Sequence, residues 1–258
     1  MKLFACALSV FAVCSLLPSM MAYGDDGGFY VELKLGASSQ QVDRKIVAND
    51  RLTDGAGSTL NSKFVDLGDY KHGAFGGGFA LGYDFFPRLG WPLRAELEFL
   101  ARSYKNLSQT RTETLNATIN LGVPGNQEIS VTESSKIGIH TLLLNLYYDF
   151  HTESAFTPFI GAGLGIAILH GRLEHARIEA PGPGIVFEND LEGDYGDAQF
   201  AWALSAGVNY ALNSDWSLDL SYKFVNAGNN SYTSDIADVG LESKFKLHDV
   251  MLGLRYTF

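Results

Sequence analysis

Glu96 and Glu98 stand two residues apart, a spacing that puts both carboxylates on one face of a strand and could supply the acid and base of glycoside hydrolysis. Arg94 and Arg102 share that face, so the expectation is satisfied ion pairs rather than two carboxylates with separate tasks. His170 and His175 invite a metal ion, but no third ligand follows at a spacing that would close a site, and an exposed loop is the better reading. A hydrolase would need a serine and a histidine held together. His140-Thr141 and Asn226-Ala227-Gly228-Asn229-Asn230-Ser231 supply fragments only. Gly76-Gly77-Gly78 lacks the lysine and the helix that follow in a phosphate loop. These residues lead to no catalytic group, no metal ligand and no cofactor.

The elements that carry them are unusual in composition. The chain has 258 residues, of which 46% are hydrophobic, 12% aromatic and only 19% charged, with 28 glycines. That apolar fraction excludes a disordered chain. A net charge of −10 with no basic block argues against nucleic acid, whose binding rests on Lys and Arg neutralising phosphates. Lys2 followed by the apolar run Leu3–Leu17 and the small residues before Tyr23 has the layout of a secretory signal peptide. The expected leader is residues 1–22, with cleavage after Ala22 or after Gly24. Both cysteines, Cys6 and Cys14, lie inside it, so the mature chain is expected to hold no disulfide and no thiol nucleophile.

From Phe29 onward one pattern repeats eight times: apolar and polar or small residues alternate over about ten positions. Phe29, Val31, Leu33 and Leu35 oppose Tyr30, Glu32, Lys34 and Gly36. Similar segments run over Phe75–Phe85, Leu93–Ala101, Leu142–Phe150, Ile160–Ile168, Trp202–Tyr210, Trp216–Phe224 and Val250–Phe258. Ten residues is the length of a tilted membrane-spanning strand. The connectors alternate between long and short, giving four long loops and three short turns. That asymmetry predicts an up-and-down barrel with long external loops, short periplasmic turns and both chain ends on the short-turn side.

Physics sets the orientation of the two faces. In hydrocarbon every backbone group must be paired, so the strands must close without edges. The charged face is also the glycine-rich one, which suits a cramped lumen, and the apolar face then meets lipid. A soluble lipocalin-like barrel would reverse this. Phe85, Trp91, Tyr148, Phe150, Tyr210, Trp216, Tyr256 and Phe258 gather near the short-turn side, where a bilayer interface would lie. The expected fold is all-β: an eight-stranded antiparallel transmembrane β-barrel filling residues 23–258.

The ending Val250-Met251-Leu252-Gly253-Leu254-Arg255-Tyr256-Thr257-Phe258 resembles the terminal strand of Gram-negative outer-membrane barrels. Gly73–Tyr83, Arg94–Glu98, Pro158–Gly165 and Trp216–Tyr222 resemble the opacity-protein branch, the "outer membrane protein beta-barrel" family, similar also to the membrane domains of OmpA, OmpX and OmpW. The resemblance covers Phe29–Phe258, its strands well and its long loops not at all. It implies the outer membrane as location and Tyr256 and Phe258 as the assembly signal. It also implies lipid, lipopolysaccharide, periplasmic chaperones and the barrel-assembly machinery as partners. The family includes adhesins, small porins and stabilising proteins, so it does not single out a function.

Alternation places the cations Lys34, Arg94, Arg102, Lys223 and Arg255 inside, with the anions Glu32, Asp84, Glu96, Glu98, Asp149, Asp219 and Asp249. Isolated charges in a narrow lumen are costly, so pairing into a plug is expected, with an ion pathway as the alternative. Glu32 and Arg255 are expected to meet at the closing seam. The polar stretches Ser38–Lys71 and Thr110–Ser135 read as solvated loops suited to a host or matrix surface. The functional expectation is a monomeric, non-enzymatic surface protein with a structural or adhesive role. The alternatives are a low-conductance porin and, behind it, an outer-membrane hydrolase.

Overall fold

A computed structural model describes residues 28–48, 52–53, 59–60, 64–115, 127–179, 186–189, 193–234 and 239–258. The expected leader, residues 1–22, lies outside them. The strands are β1 (Phe29–Ala48), β2 (Leu52–Thr53), β3 (Thr59–Leu60), β4 (Phe64–Asp84), β5 (Leu93–Arg102), β6 (Lys105–Leu115), β7 (Gln127–Asp149), β8 (Phe156–Glu179), β9 (Val186–Asn189), β10 (Gly193–Ala211), β11 (Trp216–Ser234) and β12 (Val239–Thr257). Among the described residues one short helix occurs, α1 (Phe86–Leu89), and it fills the first tight turn. Asp84 Oδ1 accepts the Phe86 amide at 2.9 Å, and Gly90 ends α1 at φ 67°, a left-handed conformation natural to glycine.

Every ladder in the barrel is antiparallel, and the order β1–β4–β5/β6–β7–β8–β10–β11–β12 closes through β12 onto β1. This is an eight-stranded barrel, with β5 and β6 forming one wall position interrupted at Ser103-Tyr104. At the seam Glu32 is the register partner of Arg255. Parity holds along each strand. Leu33, Leu35, Phe75, Leu97, Leu144, Ile160, Leu204, Leu220 and Leu252 are exposed outward, while Glu32, Lys34, Glu96, Asn145, Asp219 and Arg255 are buried inside.

Strand length departs from the sequence reading. The strands do not stop after about ten residues: β7 runs for 23 and β8 for 24. Much of Ser38–Lys71 and Thr110–Ser135 is therefore ladder rather than loop. β1 pairs with β4 and β12 up to Val47 and Ala48, and β6 pairs with β7 from Lys105 to Leu115. His170 and His175 both lie in β8, not in a loop. Beyond the bilayer the outward face no longer meets lipid, so its apolar residues give way to polar ones while backbone pairing continues.

The wall is not continuous to its far end. Among the described residues the β4–β5 ladder ends at Gly76 and Arg102, and the β10–β11 ladder ends at Trp202 and Asn226. Gly228, at φ 84°, sits where β11 turns away. Above these points the chain forms two sheets, β4–β1–β12–β11 on one side and β6–β7–β8 with β9 and β10 on the other.

Candidate functional site

The lumen holds two stacked layers, the lower one ionic. Five buried cations face six buried carboxylates among the described residues, and ring geometry brings them together. Inward positions repeat every second residue, so β5 presents Arg94, Glu96, Glu98 and Arg102 in a column. Lys34 Nζ, on β1, donates to Glu96 Oε1 at 2.7 Å and to Glu98 Oε2 at 2.6 Å, and lies 3.8 Å from Glu32. Lys223, on β11, donates to the other Glu98 oxygen. β5 and β11 stand half the ring apart in the strand order, so this bond crosses the lumen from wall to wall.

Arg94 forks onto Asp149, Nε to Oδ2 at 3.0 Å and Nη2 to Oδ1 at 3.2 Å, the bidentate geometry that a guanidinium favours. Arg255 donates to Asp219 and lies 3.5 Å from Glu32, so the seam pair is part of the network. Arg102 stands higher and apart: its guanidinium forks onto Asp249 at 3.2 and 2.5 Å, and its remaining nitrogen donates to Ile139 O and Thr141 Oγ1, each at 3.3 Å. Asp84 remains half-buried at the short-turn rim.

Two tyrosines complete this layer; alternation puts both inside but assigns them no role. Tyr30 Oη donates to Glu96 Oε2 at 3.0 Å and Tyr147 Oη to Glu96 Oε1 at 3.2 Å. The Arg94 guanidinium lies 4.4 Å from the Tyr147 ring and 5.0 Å from that of Phe159, within cation–π range. Glycines make room for both rings. A Cβ at Gly82 would meet Tyr30 at 2.1 Å, and one at Gly161 would meet Tyr147 at 2.3 Å.

The upper layer is apolar, and the sequence reading missed it. Val42, Ile137, Ile139, Leu143, Ala167, Leu169, Ala201, Ala203, Val225, Ala227, Phe245 and Leu247 form one buried cluster. All occupy inward positions, several of them on strand extensions where the sequence pattern predicts loop. Had parity been counted onward from Asp249 to Leu247 and Phe245, or from Lys223 to Val225, it would have found them. Between the layers, Ser38 Oγ and both amide atoms of Gln40 are buried without a hydrogen-bond partner among the described residues.

None of the chemistry-bearing fragments assembles among the described residues. Glu96 and Glu98 are bound to lysines. His140 faces outward while Thr141 is buried inside, so the two lie on opposite faces of β7. Gly76-Gly77-Gly78 lies within β4. No group of three or more His, Cys, Asp or Glu suited to a metal ion occurs among the described residues.

At the short-turn rim the outward aromatics are contiguous. Trp216 packs on Tyr256 at 4.9 Å between centroids, Tyr256 on Phe258 at 5.1 Å, and Tyr148 on Phe150 at 5.0 Å. Phe258 closes the chain by donating its amide to Phe29 O at 3.0 Å.

Known proteins fit this architecture. The family model described as outer membrane protein beta-barrel domain matches residues 5–258. The chain is 30% identical over 260 aligned residues to the outer membrane protein PagN of Salmonella typhimurium, covering 96% of this chain and 98% of that one. It is 24% identical over 199 residues to the opacity protein opA60 of Neisseria gonorrhoeae, covering 69% and 76%. Among solved structures, the outer membrane protein OprG of Pseudomonas aeruginosa aligns with a TM-score of 0.45 at 16% identity, over 91% of this chain and 98% of that one. The chain thus belongs to the outer membrane protein β-barrel family, and its place is the bacterial outer membrane.

Proposed function

We propose that this protein is a closed, non-enzymatic barrel whose work is done at the cell surface, in a structural or adhesive role carried by its long external end. The observation that carries this reading is the Lys223–Glu98 bond across the lumen, beneath a fully buried apolar layer. An eight-stranded barrel has an interior only wide enough for its own side chains. A path lined by both charge signs would need those pairs apart, and removing one partner from a buried pair is strongly unfavourable. What remains for contact with the surroundings is the external end.

The first test is single-channel recording of the mature protein in a planar bilayer, on material shown to be folded by heat-modifiable gel migration. The expected result is silence. Discrete steps that change on Glu98→Gln or Arg102→Gln would put a small porin in place of this reading. For adhesion, replacing residues 49–63 and 116–126 with short Gly-Ser turns should abolish binding to host cells or matrix while folding survives. These segments replace the longer stretches first read as loops, because Ser38 and Val42 are inward parts of the wall. Binding that persists through both replacements leaves the adhesive role without a basis. Turnover of lipid A or of a peptide by the pure protein would make it a hydrolase instead.

A further inference from the structure

Read outward, β7 changes character abruptly. Phe150, Tyr148, Leu146, Leu144 and Leu142 are exposed to lipid, and the next outward residues are His140, Gly138 and Lys136. β8 does the same, passing from Ile160, Leu164 and Ile166 to His170. His140 stands ten residues above Phe150. At a rise of about 3.3 Å per residue and a tilt of about 40°, that is roughly 25 Å, the height of an outer-membrane barrel's apolar band. These side chains therefore stand at the headgroup level of the outer leaflet.

They form a built cluster. The Arg102 backbone amide donates to His140 Nδ1 at 3.3 Å, so the proton of the neutral ring sits on Nε2 and points away from the wall. The His170 ring lies 5.7 Å from that of His140, and the Tyr104 ring stands edge-on to His140 at 5.8 Å. Lys136 Nζ lies over Tyr104, 5.6 Å from its centroid. Gly138, the register partner of His170, is what lets Tyr104 lie against β7, since a Cβ there would meet the ring at 2.5 Å. Along β5–β8 at this level the described outward side chains include no carboxylate. On the opposite side of the barrel Lys246 has Asp43 at 3.6 Å, so that cation is already paired.

We propose that Lys136, His140, His170 and Tyr104 bind a phosphate of the anionic glycolipid in the outer leaflet. The site offers an ammonium, imidazole N–H groups and a phenol around one small area. Its height leaves the acyl chains of such a lipid lying along the leucines and isoleucines directly below. The site fixes the barrel's height and rotation in the leaflet, and goes beyond the surface role proposed above without depending on it.

The test uses the mature protein in phosphatidylcholine nanodiscs with bisphosphorylated lipid A added in small excess, and native mass spectrometry to count retained lipid. Dephosphorylated lipid A and inorganic phosphate serve as comparison probes. Wild type should retain bisphosphorylated lipid A at least about tenfold better than the dephosphorylated form, the value of one charge-assisted hydrogen bond. Lys136→Gln combined with His170→Gln should remove that preference, Lys136→Arg should keep it, and Lys246→Gln should leave it unchanged. The double substitution touches no lumen residue, so heat-modifiable migration should stay normal. Equal retention by wild type and the double variant overturns the proposal. Inorganic phosphate bound as well as lipid A overturns it too, by making the cluster a simple anion site.

Discussion

The two layers of the lumen solve the same packing problem with opposite chemistry. The lower layer is made of charges that hold one another across the ring, through Lys34, Glu96, Glu98 and Lys223. The upper layer is made of Ile139, Leu143, Val225 and Leu247, which need only shape and burial. The ionic layer is a connected network, so losing one member strands several others. The apolar layer is a sum of contacts, so losing one member leaves a local void. Stability is thus shared between a part that fails collectively and a part that fails piecemeal.

Six substitutions would break or sharpen this contrast. The largest effect is expected for Glu96→Ala, which removes the shared partner of Lys34, Tyr30 and Tyr147. It should cost about 3–5 kcal/mol in urea unfolding from lipid vesicles. The isolated pair is the informative comparison. Arg102→Met or Asp249→Leu alone should cost a similar amount, whereas the double variant, now continuous with the apolar layer, should return close to wild type. If the double variant is as unstable as either single one, the two layers are not interchangeable in the way described.

Ile139→Ala, in the upper layer, should cost about 2–5 kcal/mol with no coupling to Glu96→Ala beyond additivity. Gly161→Ala should cost about 1–3 kcal/mol by pushing Tyr147 off the wall, with a changed near-ultraviolet circular dichroism signal as the check. The smallest effect belongs to the rim. Lys246→Gln removes a half-exposed pair with Asp43 and should shift stability by less than about 1 kcal/mol, disappearing at high salt.

The strands facing lipid were legible because the bilayer imposes a strong contrast on them. Leu142, Leu144 and Leu146 against Thr141, Asn145 and Tyr147 can be read without coordinates. The strand extensions were not, because Ser38–Gln41 and Thr110–Thr114 are polar at every position and show no alternation. The consequence for the lumen is specific: Val42, Ile137 and Phe245 sit on such extensions, so that part of the apolar layer is not legible in the sequence. Tyr30 and Tyr147 were placed on the correct face but without partners, since nothing in their spacing points to Glu96 on a different strand.

What the sequence by itself determined is local and periodic: eight two-faced strands, the direction of each face and the inward set of charges. A period of two and a solvent with two sharply different media are enough to fix those. Which charges meet was decided only by the tertiary structure. Lys223 and Glu98 are 125 positions apart in the chain and half a ring apart in the barrel, and their contact depends on closure, stagger and tilt together. The division of the outer end into two sheets has the same origin. Ladder formation there is limited by where neighbouring strands diverge, at Gly76 and Arg102 and at Trp202 and Asn226. That divergence is a property of the closed ring and not of any one segment.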